Sequence, residues 1–132
     1  MIIENIMSPE QARMLSPLQF TYVGDAVHSL IVREYLLGKN LQVKKMHRMS
    51  VQAVCAVHQN QILEKIIPLL SEEETAIAKR GRNAHAHHGG PKGATVSEYA
   101  GATGLEALIG YLFLTGNTER LNQLSPHLLP ED

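Results

Sequence analysis

The sequence has no tryptophan, one cysteine, and only two phenylalanines and four tyrosines. With 44% hydrophobic residues, its core must be aliphatic. The single cysteine, Cys55, excludes an internal disulfide and fits a reducing compartment. No run approaches the ~18 apolar residues that a membrane span requires. The opening residues, MIIENIMSPEQARML, carry acids and lack the apolar stretch of a secretory signal. A soluble, cytoplasmic protein with no membrane partner is expected. An excess of either charge is also missing: 12 basic residues face 13 acidic ones, for a formal net charge of −1. At 132 residues the chain is expected to form one domain over 1–132, with no room for a second module of ordinary size.

The helix signals are plentiful. Ser8-Pro9 and Ser16-Pro17 each place a capping hydroxyl before a proline at the first helical position. The second opens a long helix whose apolar residues Leu18, Tyr22, Val23, Ala26, Val27, Leu30 and Ile31 recur at spacings of three and four, with Gly38 as a stop. Val43 to Leu70 reads as one bent helix or two short ones joined near His58–Asn60, closed by Pro68. Ser71 precedes three acids, Glu72, Glu73 and Glu74, which suit the positive end of a helix running to about Ala84. Residues 85–95, HAHHGGPKGAT, read as a flexible loop. A further helix starts near Ser97-Glu98 and ends near Gly116, and a short one covers Thr118–Leu124. No strand-like alternation competes with this pattern, so the fold class is all-α.

Two carboxylates stand out. Asp25 lies alone in the apolar stretch Leu18–Tyr35, directly after Gly24, and Glu106 lies alone in Thr103–Leu114. An isolated carboxylate in such surroundings is costly to bury without a partner. Gly24 itself costs roughly 1 kcal/mol in a helix and predicts a close backbone approach. Asp25 shares its helical face with Thr21, His28 and Ser29; Glu106 shares its face with Thr103 and Gly110. If the helices cross there, the carboxylates meet, and Mg²⁺, which takes one or two carboxylates and keeps waters or phosphate oxygens, suits the pair. From spacing alone, an acid satisfied by a hydroxyl or an arginine accounts for each position at least as well.

Nine of the twelve basic residues fall in two segments: Arg33, Lys39, Lys44, Lys45 and Arg48, then Lys79, Arg80, Arg82 and Lys92. Local clusters of this kind are what a polyanion meets, whatever the total charge. His85, His87 and His88 have zinc-binding chemistry, but they sit among glycines with no neighbouring cysteine or acid. They read as a solvated loop that gains positive charge as pH falls. Cys55 reads as helix packing, and Met46 and Met49 as core or interface fillers.

YVGDAV around Asp25 and GLEALIGYLFL around Glu106 resemble the two acidic motifs of the ribonuclease III family. The match is closest to its Mini-ribonuclease III branch, which has no double-stranded-RNA-binding domain and also carries EEE followed by RGRNA, here Glu72–Glu74 and Arg80–Ala84. The resemblance covers Leu15 to Leu124. It implies a helical, homodimeric endonuclease domain that hydrolyses double-stranded RNA to 5′-phosphate and 3′-hydroxyl ends. It implies Mg²⁺ as cofactor, with Mn²⁺ as a substitute, held by Asp25 and Glu106 as catalytic residues. Full-length ribonuclease III has further acids where this chain has Thr21 and Thr103, and the branch has a basic residue after the tyrosine where this chain has Tyr99-Ala100-Gly101-Ala102. Arg80, Arg82, Asn83 and Lys92 are the candidates for RNA contact. The implied substrate is a stem of precursor 23S ribosomal RNA, presented with help from a large-subunit ribosomal protein. The rival reading is a non-catalytic RNA- or ribosome-binding scaffold, against which retention of both acids speaks.

Overall fold

A computed structural model describes residues 6–84 and 93–131. Among them there is helix and turn only. The elements are α1 (Pro9–Arg13), α2 (Pro17–Leu37), α3 (Val43–Ala53), α4 (Ala56–Ile66), a 3₁₀ turn (Ile67–Leu69), α5 (Glu72–Ala84), α6 (Val96–Leu114), α7 (Thr118–Leu124) and a final 3₁₀ turn (Ser125–His127). The predicted caps form. Ser8 and Gln11, Ser16 and Gln19, and Ser71 and Glu74 each exchange side-chain and backbone hydrogen bonds. Thr95 and Glu98 do the same at the start of α6. Each cap stabilises its helix by about 1 kcal/mol.

The centre of the molecule is α6 and not α2. From Ala100 to Leu112 every residue of α6 except Glu106 is buried, and α2, α4 and α5 pack around it. A helix apolar on all sides belongs inside a core, and the small residues Ala100, Gly101, Ala102, Gly104, Ala107 and Gly110 let its neighbours approach. By contrast, α2 buries one stripe, Phe20, Gly24, Val27, His28, Val32 and Leu36, and exposes the other side. Around α6 the aliphatic core contains Ile62, Leu63, Ile66, Leu105, Leu108 and Leu112, each contributing about 1.5–3 kcal/mol by burial. A satellite core of Val32, Leu36 and Ala53, with Met46 and Met49 half-buried against it, joins the end of α2 to α3.

Of the two alternatives the two short helices form, and their break falls at Val54–Cys55, earlier than the expected His58–Asn60. Cys55 turns to extended backbone (φ −70°, ψ 155°). The Ala53 carbonyl at the end of α3 then accepts a hydrogen bond from His58 Nδ1 at 2.6 Å, so the His58 side chain caps the broken helix. Cys55 is exposed at this corner, so its assignment to helix packing is corrected. Gly38 ends α2 in right-handed conformation (φ −73°), and the left-handed residue of the turn is Asn40 (φ 53°).

Candidate active site

α2 and α6 cross with their backbones in contact. A methyl group placed on Gly24 would lie 1.7 Å from the Glu106 carbonyl oxygen, and one on Gly110 would lie 1.9 Å from that of Phe20. Only glycine permits this approach from either side. The crossing brings the two acids together: Asp25 follows Gly24, and Glu106 supplies the carbonyl that Gly24 accommodates. Their carboxyl groups come within hydrogen-bonding reach of each other. Glu106 is pushed up to about 8, first by burial, then by the hydrogen bond and negative charge of Asp25, with Gln59 acting in the opposite direction. A pair in this state is held together by a shared proton or by a cation.

Glu106 lines a cleft of about 530 Å³ together with Thr21, Cys55, Gln59, Tyr99 and Thr103, among others; Asp25 is not part of that lining. Thr21 Oγ1 donates to the Thr103 carbonyl at 3.1 Å, and Thr103 Oγ1 donates to the Tyr99 carbonyl at 3.0 Å. Thr21 therefore ties α2 to α6, whereas the Thr103 hydroxyl is satisfied within α6. Among the described residues no three histidine, cysteine or acidic side chains gather as a metal site. Asp25 and Glu106 offer hard oxygen donors only, which fits magnesium or manganese and leaves other positions for water and phosphate oxygens.

Arg80, Arg82 and Asn83 lie in the last turns of α5, which packs against α6 through Gly81 and Gly104. Methyl groups at those glycines would strike Ala107 and the α6 backbone, or the Ala78 carbonyl. The stem of Arg82 runs over Gly104, two residues before Glu106. Arg80 and Asn83 are exposed and Arg82 is half-buried; among the described residues no acid pairs with either arginine. Lys92 and the histidines 85, 87 and 88 lie outside the described residues. Two of the three acids at the start of α5, Glu73 and Glu74, turn out to brace the fold. Glu74 is buried and receives Arg120 through two hydrogen bonds at 2.8 and 2.9 Å, which holds its carboxyl below the usual range. Glu73 accepts the hydroxyl of Tyr111.

Two polar residues of the site carry little sequence signal. Gln59 is buried in the first turn of α4 and donates to Glu106 Oε2 at 3.4 Å. His28, expected on the face of Asp25, points instead into the core, fully buried between Gln59 and the C-terminal turn. The sign available beforehand was one imidazole in an apolar helical stripe, and nothing in that pattern named its partners.

The Ribonuclease III domain family matches residues 18–117. Mini-ribonuclease 3 of Symbiobacterium thermophilum is 45% identical over 111 residues, 83% of this chain and 85% of the relative. Its namesake in Thermoanaerobacter is 42% identical over 120 residues, 90% and 84% of the two chains. A crystal structure of a Fusobacterium nucleatum protein superposes with a TM-score of 0.76 at 33% identity, covering 84% of this chain and 88% of that one. With a matching domain, these relatives and two acidic motifs meeting at one crossing, the chain belongs to the ribonuclease III family of endoribonucleases, on its Mini-ribonuclease 3 branch.

Proposed function

We propose that the whole chain acts as one catalytic domain, a divalent-metal-dependent endoribonuclease for double-stranded RNA, with Asp25 and Glu106 as the metal-holding pair. The observation that carries this reading is the convergence of these two acids at the α2–α6 crossing, where Glu106 lines an open cleft. Cleavage to a 5′-phosphate and a 3′-hydroxyl requires water to add to phosphorus while the bond to the 3′-oxygen breaks. Magnesium or manganese, when bound, supplies the charge that makes water a better nucleophile and offsets the phosphate.

The chain's own residues do the rest. Asp25, exposed on α2, and Glu106, half-buried on α6, present oxygens from two rigid elements. Gln59 holds one oxygen of Glu106. Arg80, Arg82 and Asn83 meet phosphates and 2′-hydroxyls, the groups through which A-form RNA is recognised. The physiological substrate we assign is a base-paired stem of precursor 23S ribosomal RNA, presented on the ribosomal particle with a large-subunit protein. The enzyme works as a homodimer in the cytoplasm. Exposed Met14 at the end of α1, and exposed Leu18 and Tyr22, four apart on α2, support burial against a second copy.

Long duplex RNA incubated with Mg²⁺ tests the reading. Parent protein is expected to cleave it, and Asp25→Asn, Glu106→Gln or chelation is expected to abolish cleavage. Retained binding without cleavage by the parent would establish the scaffold in place of the enzyme.

A further inference from the structure

A chain of hydrogen bonds runs from the end of the fold to the site. His28 Nε2 lies 2.9 Å from the Leu128 carbonyl oxygen, His28 Nδ1 lies 3.0 Å from Gln59 Nε2, and Gln59 Nε2 lies 3.4 Å from Glu106 Oε2. His28 and Gln59 are buried, at 0% and 2% exposure, so water does not substitute for these partners.

The directions follow from chemistry. A carbonyl only accepts, so His28 Nε2 carries its hydrogen toward Leu128. In the neutral ring Nδ1 is then a bare acceptor, which turns the Gln59 amide so that its NH₂ and not its oxygen faces the imidazole. The same NH₂ has a second hydrogen, and that one points to Glu106. The opposite amide orientation would set its oxygen against both the Nδ1 lone pair and the carboxylate. Burial, the largest influence, lowers the His28 pKa and keeps the ring neutral, as this arrangement needs.

We infer that Gln59 is a positioning residue for Glu106, oriented through His28 by the Leu128 carbonyl, so that the C-terminal turn sets the aim of a metal-holding carboxylate 22 residues earlier in the chain. This rests on the reading of Glu106 given above. Groups that orient a metal-holding side chain commonly change metal affinity or rate about 10- to 100-fold when removed. The chain explains how an exposed cleft keeps a half-buried carboxylate in one pose without a basic partner among the described residues.

Gln59→Met keeps side-chain length and removes both donors. Mn²⁺ titration of the protein without RNA is expected to show at least about a tenfold loss of affinity. With RNA at saturating metal, kcat is expected to fall while KM for RNA stays. His28→Leu, which removes the acceptor that Gln59 meets, is expected to shift Mn²⁺ affinity in the same direction. A Gln59→Met protein with parental Mn²⁺ affinity and kcat overturns the inference. Nitrogen-15 NMR of the parent gives a readout independent of catalysis and of variant folding. His28 must show a protonated Nε2 and a bare Nδ1 at neutral pH, and the reverse tautomer also overturns it. If the parent itself neither binds Mn²⁺ nor cleaves duplex RNA, the functional reading fails, and the imidazole spectrum still decides the hydrogen-bond chain.

Discussion

Glu106 keeps its proton to a pH of about 8 because burial and Asp25 both oppose its ionisation. Between the ordinary carboxylate range and pH 8, the folded chain holds a proton here that the unfolded chain has released. Stability of the metal-free protein therefore falls as pH rises through that window. Melting followed from pH 5 to 9 in chelator should show this decline, on the order of a few kcal/mol. Glu106→Gln should flatten it and be the more stable protein at pH 8. Mg²⁺ should restore parental stability at high pH by binding the ionised pair. A parent curve as flat as that of Glu106→Gln would contradict the placement of this carboxylate. Asp25 and Glu106 were legible in the sequence because each is a lone charge in an apolar helix. Gln59 was not, since a buried amide in a first helical turn has no sequence signature. Cys55 was misread because an apolar neighbourhood in sequence became a helix break in space.

At the scale of elements, the crossing of α2 and α6 is the most sequence-determined part of the structure. Gly24 predicted a close backbone approach, and Gly110 turned out to be its counterpart on the other helix. Gly24→Ala should therefore cost about 3 kcal/mol or more, at the upper end of overpacking, because backbone and not a flexible side chain stands in the way. Activity should fall with it, since any separation of the helices parts the acids. Gly38→Ala makes the contrast. Its φ is −73° and its nearest neighbour would be an ordinary 3.5 Å away, so the change should be neutral or stabilising by about 0.5 kcal/mol. Urea denaturation of both variants tests the pair. Helix starts were legible at Ser8, Ser16 and Ser71, where a hydroxyl and an acid or amide stand three apart. Sequence alone puts the start of α6 near Ser97, and the Thr95–Glu98 pair that caps it was not legible. The break between α3 and α4 was not, because its cap comes from His58, a residue beyond the break. Nor was the central place of α6 evident. Its lack of an apolar stripe means burial on every side, whereas the amphipathic search favours helices such as α2 that keep one face exposed.

For the whole molecule, the informative fact is a net charge of −1 on a protein that must hold a polyanion. Affinity then depends on where the cations stand. Arg80 and Arg82 close α5 beside the cleft-bearing helix without an acidic partner among the described residues, so their charges remain available for phosphate. The proposed dimer needs a surface of its own. Met14, Leu18 and Tyr22 are exposed, and in the proposed dimer a second copy covers them. Tyr22, 84% exposed, is then the side chain whose replacement by glutamate should yield monomers in sedimentation at unchanged helix content. Neither the pairing of copies nor the path of RNA was legible in residue spacing, because both depend on surfaces that only folding assembles. Salt provides the sharper test of the RNA path. Each phosphate neutralised by a side chain releases counterions, so the slope of log affinity against log salt counts such contacts. Arg80→Ala and Arg82→Ala should each lower that slope by about one and weaken binding to all duplexes alike. The Arg80 variant should melt within about 0.5 kcal/mol of the parent, since its side chain is exposed and has no ion-pair partner among the described residues. Unchanged slopes with impaired cleavage would mean that these arginines act on the fold or the cleft, and that the duplex is held by another face.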